Sequence, residues 1–164
     1  MYTYMSTEPI RVGSSSSALD YVLREQIKAI QPKTVVDFGA GGGKIGKIVR
    51  EIMGNRCTIT AVEGYAITVE NLKASKVYDN VHYCLLEDFL LDNTNTYDLA
   101  IFGDVIEHLT CRSIKKAIYD TLSYFNYFII VVPLYDIFQD NAYGNIIEKH
   151  QSYITDKFFD RYHP

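Results

Sequence analysis

Asp37, Gly39, Gly41 and Gly43 stand two residues apart, a spacing that puts one carboxylate and three bare backbone units at a sharp turn of the chain. Glycine suits such a turn because it accepts backbone angles that other residues resist, and because ligand atoms can approach a backbone that carries no Cβ. Glu63, Asp88 and Asp104 follow, each at or near the end of an apolar run. A carboxylate so placed can accept from two sugar hydroxyls at once or meet an ammonium group. Glu107, His108 and His150 are candidates for removing a proton. Histidine fits that task because its unperturbed pKa of ~6.5 lies near neutral pH.

These residues need elements to hold them. Val35-Val36-Asp37-Phe38 reads as a short strand, and Ile45, Ile48, Val49, Ile52 and Met53 fall on one face of the helix that follows the glycines. Strand, glycine turn and helix make the first half of a βαβ nucleotide site. A Walker A loop would require glycine at Phe38 and a hydroxyl residue at Ile45, so a phosphate cradle is excluded. The dinucleotide fingerprint would require its third glycine at Lys44, which ranks NAD second. Residues 58–63 form a second strand, and its final Glu63 lies about twenty residues beyond the loop, where a ribose diol is held in a βαβ site. Residues 81–86 read as a third strand, the run from Tyr97 as a fourth, and 127–133 as a fifth that is apolar on both faces, as parallel strands covered by helices are.

Helices fill the gaps. Ser17 can cap a first helix with Leu19, Val22, Leu23, Ile27 and Ile30 on one face, stopped by Pro32. Further helices are expected over 65–74 (Tyr65, Val69, Leu72), around Ile114, Ala117, Ile118 and Leu122, and over 155–162. A helix beginning near Val105 would set Asp104 one turn before Glu107 and His108, converging on the carboxyl ends of the strands, where open α/β sheets bind ligands. Residues 1–16 read as a polar arm, 17–164 as one domain, and the aperiodic stretch 135–152 as a lid or binding loop.

Composition narrows the function classes. At 164 residues the chain is one domain, with little room for a separate substrate domain. A net charge of -4 offers no basic face, which disfavours nucleic acid as a partner because phosphate binding rests on Lys and Arg. Cys57, Cys84 and Cys111 are odd in number and scattered, as expected of reduced, buried thiols in a cytoplasmic protein. The start has no leader pattern and no apolar run approaches the ~18 residues of a membrane helix, so no membrane partner is expected.

The motif Asp37-x-Gly39-x-Gly41-x-Gly43 resembles the first motif of the class I S-adenosylmethionine (SAM)-dependent methyltransferases. Asp98-Leu99-Ala100-Ile101-Phe102-Gly103-Asp104-Val105-Ile106-Glu107-His108-Leu109 is similar to the fourth motif of their ubiquinone and menaquinone methyltransferase-like branch. The resemblance implies an α/β, Rossmann-like, doubly wound and mostly parallel sheet with helices on both faces. It also implies SAM as cofactor and S-adenosylhomocysteine (SAH) as product. The backbone at Gly39 and Gly41, in the loop with Ala40 and Gly43, would approach the methionine part, Asp37 would organise that loop and the amino-acid end, and Glu63, Gly64 and Tyr65 would meet the ribose and base. Glu87, Asp88 and Phe89 would line the adenine, and Gly103 and Asp104 would meet the ammonium. Asp88 reads equally as the N-cap of a helix, and Glu107 and His108 as the solvated start of one.

Methyl transfer disperses positive charge, so the protein acts mainly by alignment, which contributes on the order of 7 to 11 kcal/mol. His108 is the first choice of base, with Glu107 and His150 beside it. The acceptor is expected to be a small molecule. Asp104, Glu107, His108 and His150 also resemble the metal-binding set of small-RNA 3′-end 2′-O-methyltransferases, an alternative in which the group holds a divalent ion. A third reading is a relative that binds SAM or SAH without turnover. The chain departs from the family at Gly64, where a branched apolar residue is usual, and at Glu87, where glycine is common. After the fifth strand it is too short for the usual closing antiparallel hairpin, so part or all of that hairpin is expected to be missing and a homodimer to protect the uncovered sheet edge.

Overall fold

The computed structural model describes residues 17–133, 149–152, 154 and 155. The expected polar arm, almost all of the expected lid and all but Thr155 of the expected last helix lie outside the described residues, as does the Leu122 side chain. Five strands, β1 (Thr34–Phe38), β2 (Thr58–Glu63), β3 (Asn80–Tyr83), β4 (Tyr97–Gly103) and β5 (Phe125–Val131), form one sheet in the order β3-β2-β1-β4-β5. Every pairing is parallel, and no antiparallel strand occurs among the described residues. Chain order reverses between β1 and β4, so their carboxyl ends frame a topological switch point.

Helices cover both faces. Alternation along β1 sends Val35 to one core and Val36 to the other. Val35, Ile59, Ala61, Leu99 and Ile101 pack with α1 (Asp20–Ile30), α2 (Lys44–Met53) and Leu72 of α3 (Ala66–Ser75). Val36, Phe38, Val62, Ala100 and Phe102 pack with α4 (Leu86–Asp92) and α5 (Cys111–Tyr124). Register partners Phe38 and Phe102 stack at 4.8 Å between centroids. Ile45, Ile48, Val49 and Met53 are all buried on α2, and Ile114, Ala117 and Ile118 on α5, because each set repeats at the helical period.

Several boundaries differ from expectation. Ser17 does not cap α1: residues Ser17–Leu19 form a 3-10 turn, the helix starts at Asp20, and Leu19 and Val22 are exposed while Leu23 and Ile27 are buried. Gln31, in the left-handed region, closes the helix with an N–H bond to Ile27 just before Pro32. β3 stops at Tyr83 and Leu86 opens α4, since the unbroken apolar run Cys84-Leu85-Leu86 hides the change from strand to helix period. Among the described residues β5 is the outer strand of the sheet rather than one covered on both sides, with Tyr127 55% and Phe128 42% exposed. Of the three free cysteines, Cys57 is buried, Cys84 is half-buried and Cys111 is exposed, which corrects the expectation of three buried thiols.

Candidate functional site

The glycine turn sits at the switch point. Gly39, Gly41 and Gly43 all have positive φ, a region that favours glycine. Gly39 and Ala40 donate their N–H groups to Val62 O, and Gly43 donates to Ala40 O before α2 begins. A Cβ at Gly39 would stand 2.6 Å from the Val105 side chain, so the β1 and β4 ends meet there over bare backbone. Glu63 ties the turn to its neighbour: its Oε2 accepts from the Gly41 N–H at 2.9 Å and its Oε1 from the Tyr65 N–H at 2.8 Å. Gly64 lies in the turn between them. On the other side of β1, Gly103 ends β4, and Asp104 takes a positive φ while donating its N–H to Val131 O. Asp104 therefore holds a conformation uncommon for residues other than glycine.

Not every expected site residue faces this cradle. Asp37 is fully buried under the start of α2, where its Oδ2 accepts from the Tyr78 hydroxyl at 2.6 Å. Burial pushes its carboxyl up to about 7, against the lowering effect of hydrogen bonds from Tyr78 and the Gly46 backbone. Phe89 is buried in the α4 core, edge-on to Phe38 and His82. Glu87 and Asp88 occupy the first turn of α4, after its N-cap Leu85. Asp88 faces a separate groove of about 440 Å³ along β2 and β3, shared with Thr60, Asn80 and His82.

A second group assembles beyond Asp104. In place of the expected helix near Val105, a 3-10 turn spans Ile106–His108, and α5 begins only at Cys111, capped by the Thr110 side chain. The segment 149–152 docks on this turn: the Gln151 and Ser152 N–H groups donate to Glu107 O, Gln151 Nε2 donates to His108 O, and Ser152 Oγ donates to Leu109 O. His108 and His150 rings lie 5.0 Å apart, and the ligating atoms of Glu107, His108 and His150 all fall within 4.8 Å of one another. Glu107 is almost wholly buried. Burial, with His150 adding to it, lowers the His108 pKa, while contacts to the Lys149 carbonyl and Asp104 oppose that shift.

The residues thus divide into a cradle (Gly39, Ala40, Gly41, Gly43, Glu63, Gly64, Tyr65, Gly103, Asp104) and a carboxylate–imidazole cluster (Glu107, His108, His150). Tyr78 and Val105 shape the cradle from below and from the side, and the sequence marks neither for it: Val105 lies within the fourth-motif run, which implies no role for it, and the only sequence signal of Tyr78 is an apolar residue in a short connecting segment.

No protein-family model and no curated protein matches the sequence. Solved structures do. TehB from Haemophilus influenzae superposes with a TM-score of 0.69 at 15% identity, covering 90% of this chain and 50% of its own. The plantazolicin methyltransferase BpumL in complex with SAH gives a TM-score of 0.65 at 10% identity, covering 88% and 63%. This chain has the Rossmann-like methyltransferase fold. The sugar N-methyltransferase KedS8 from Streptoalloteichus sp ATCC 53650 superposes with a TM-score of 0.60 at 13% identity, covering 85% of this chain and 63% of its own. The chain therefore spans between half and just under two thirds of the length of these three neighbours. Among the described residues, no helix is long and apolar enough to cross a membrane.

Proposed function

We propose that the chain is a SAM-dependent methyltransferase acting on a small molecule that carries a hydroxyl or amine. The observation that carries this reading is the set of three positive-φ glycines at the β1/β4 switch point, with Glu63 at the end of the adjoining strand. That cradle suits an adenosyl ligand: bare backbone admits the aminoacyl end, Glu63 accepts from the ribose hydroxyls, and the end of β4 at Gly103 and Asp104 meets the ammonium. SAM supplies an electrophilic methyl on a sulfonium. Everything else is positioning and proton handling by this chain. His108, whose pKa burial lowers so that its uncharged, proton-accepting form is favoured, and which is set beside Glu107 and His150, takes the proton from the acceptor. The fold neighbours BpumL, in complex with SAH, and KedS8, a sugar N-methyltransferase, support both the cofactor and a small acceptor.

The test is calorimetry with SAH and with NAD, followed by transfer of labelled methyl from SAM to a panel of small hydroxyl and amine acceptors. SAH binding with NAD inert is the expected result; binding of NAD alone would overturn the reading. Label transfer separates an enzyme from a protein that only holds the ligand. Replacing His108 by Ala should lower turnover by about 10²- to 10⁴-fold with SAH affinity retained.

One observation favours a second reading of the carboxylate–imidazole cluster. A carboxylate and two imidazoles whose donor atoms lie within 4.8 Å are a set fit for a divalent ion such as zinc or manganese. Calorimetric titration of chelator-treated protein with Mg, Mn and Zn decides it: heat lost in His150→Ala supports an ion, and no heat at high protein concentration leaves the base.

A further inference from the structure

Tyr78 comes from the short segment between α3 and β3, yet its ring reaches beneath the glycine turn and is 8% exposed. Its hydroxyl donates to Asp37 Oδ2 at 2.6 Å and accepts from the Gly46 N–H at 3.2 Å. One oxygen therefore joins the end of β1 to the first turn of α2, the two elements between which residues 39–43 are strung. The ring fills space that glycines leave for it. A Cβ at Gly46 would stand 2.2 Å from Tyr78 Cζ, and one at Gly43 would stand 3.4 Å from its ring.

The segment bearing Tyr78 is itself fixed from both sides. Arg50 of α2 donates to Val77 O through Nε and Nη2, and its Nη2 also pairs with Asp79 Oδ2 at 2.7 Å. Asp79 Oδ2 accepts from the Ile59 N–H of β2, and the Asp79 N–H donates to Ile59 O. Clamped between α2 and β2, Tyr78 has little freedom to move away. A phenylalanine would fill the same volume without a buried hydroxyl, which costs free energy unless it is bonded. The hydroxyl is therefore explained by what it bridges, and the bridge lies under the turn.

We propose that Tyr78 is a positioning residue for cofactor binding, its hydroxyl setting the 39–43 backbone by locking Asp37 of β1 to Gly46 of α2. This rests on the reading that the glycine turn holds an adenosyl ligand. Tyr78 does not touch that ligand; it acts through the backbone above it. Because Gly46 is glycine to admit the ring, the two positions work as one device.

Two variants probe the contact from opposite sides. Tyr78→Phe keeps the ring and removes the hydroxyl, whereas Gly46→Ala keeps the hydroxyl and displaces the ring. Each is compared with wild type by SAH calorimetry, thermal melting, and amide exchange in the ligand-free protein. Tyr78→Phe should melt cooperatively, bind SAH about tenfold more weakly, as expected for loss of a buried hydrogen bond that leaves its partners unsatisfied, and exchange faster at 39–47 than wild type while α5 is unchanged. Gly46→Ala should weaken SAH binding likewise, and the double variant should bind no more than threefold more weakly than the worse single one, since both break the same contact. A Tyr78→Phe protein that binds SAH within threefold of wild type overturns the proposal, as do unchanged exchange at 39–47, additive losses in the double variant, or a Tyr78→Phe protein that fails to fold. If wild type itself binds no SAH, the cofactor reading falls. Exchange at 39–47 in the ligand-free variants then still reports whether Tyr78 sets the turn.

Discussion

Glu63 shows how a single side chain can build a turn and keep acceptor capacity for a ligand. Its two oxygens hold the Gly41 and Tyr65 N–H groups, and a carboxylate oxygen has lone pairs left for sugar hydroxyls. Glu63→Ala should therefore weaken SAH binding by about 1.5 to 3 kcal/mol, read by calorimetry, with the chain still folded. Asp37 makes the opposite case: a carboxylate at the heart of the motif that meets no solvent. Burial raises its folded-state pKa to about 7 from the ordinary 3.8, so between about pH 4 and 7 the native state holds a proton that the unfolded chain has released. Its stabilising contribution is complete below that window and is lost as pH rises through 7. Melting temperature measured across the window should fall with pH in wild type relative to Asp37→Asn, whose side chain does not titrate.

At the scale of elements, the β1 strand, the glycine turn and α2 were legible because an apolar run, three glycines and a period of 3.6 follow one another within twenty residues. The placing of Glu107 beside His108 was legible from the end of β4, although a 3-10 turn rather than a helix delivers it and the third member of their cluster is His150, with Asp104 contacting His108. Other features leave no periodic trace. α4 begins inside a continuous apolar run, Tyr78 acts from a segment too short for any period, and Phe89 turns into the core because α4 starts at Leu86 and places it one turn in, against Phe38. Helix α5 tests the start that local reasoning missed. Thr110 accepts from the Ser113 N–H at 3.2 Å, and Thr110→Ala should cost about 1 kcal/mol of stability, measured by denaturant titration with an unchanged m-value.

At the scale of the whole molecule, the β5 edge is the feature that bears on assembly. Among the described residues no strand pairs with the outer edge of β5, where Tyr127 and Phe128 stand exposed, and such an apolar edge invites pairing with another chain. We propose a homodimer that uses this edge. Sedimentation should give twice the 18.8 kDa chain mass, with Phe128→Lys shifting the protein to monomer; a monomeric wild type at working concentration would refute it. The docking of residues 149–152 carries a different consequence. They are held largely by the main-chain carbonyls of Glu107, His108 and Leu109, and every amino acid offers that same oxygen. Exchanging the side chains at these positions leaves the three carbonyl anchors in place, so side-chain chemistry at this corner of the fold can vary while the main-chain bonds that seat residues 149–152 persist.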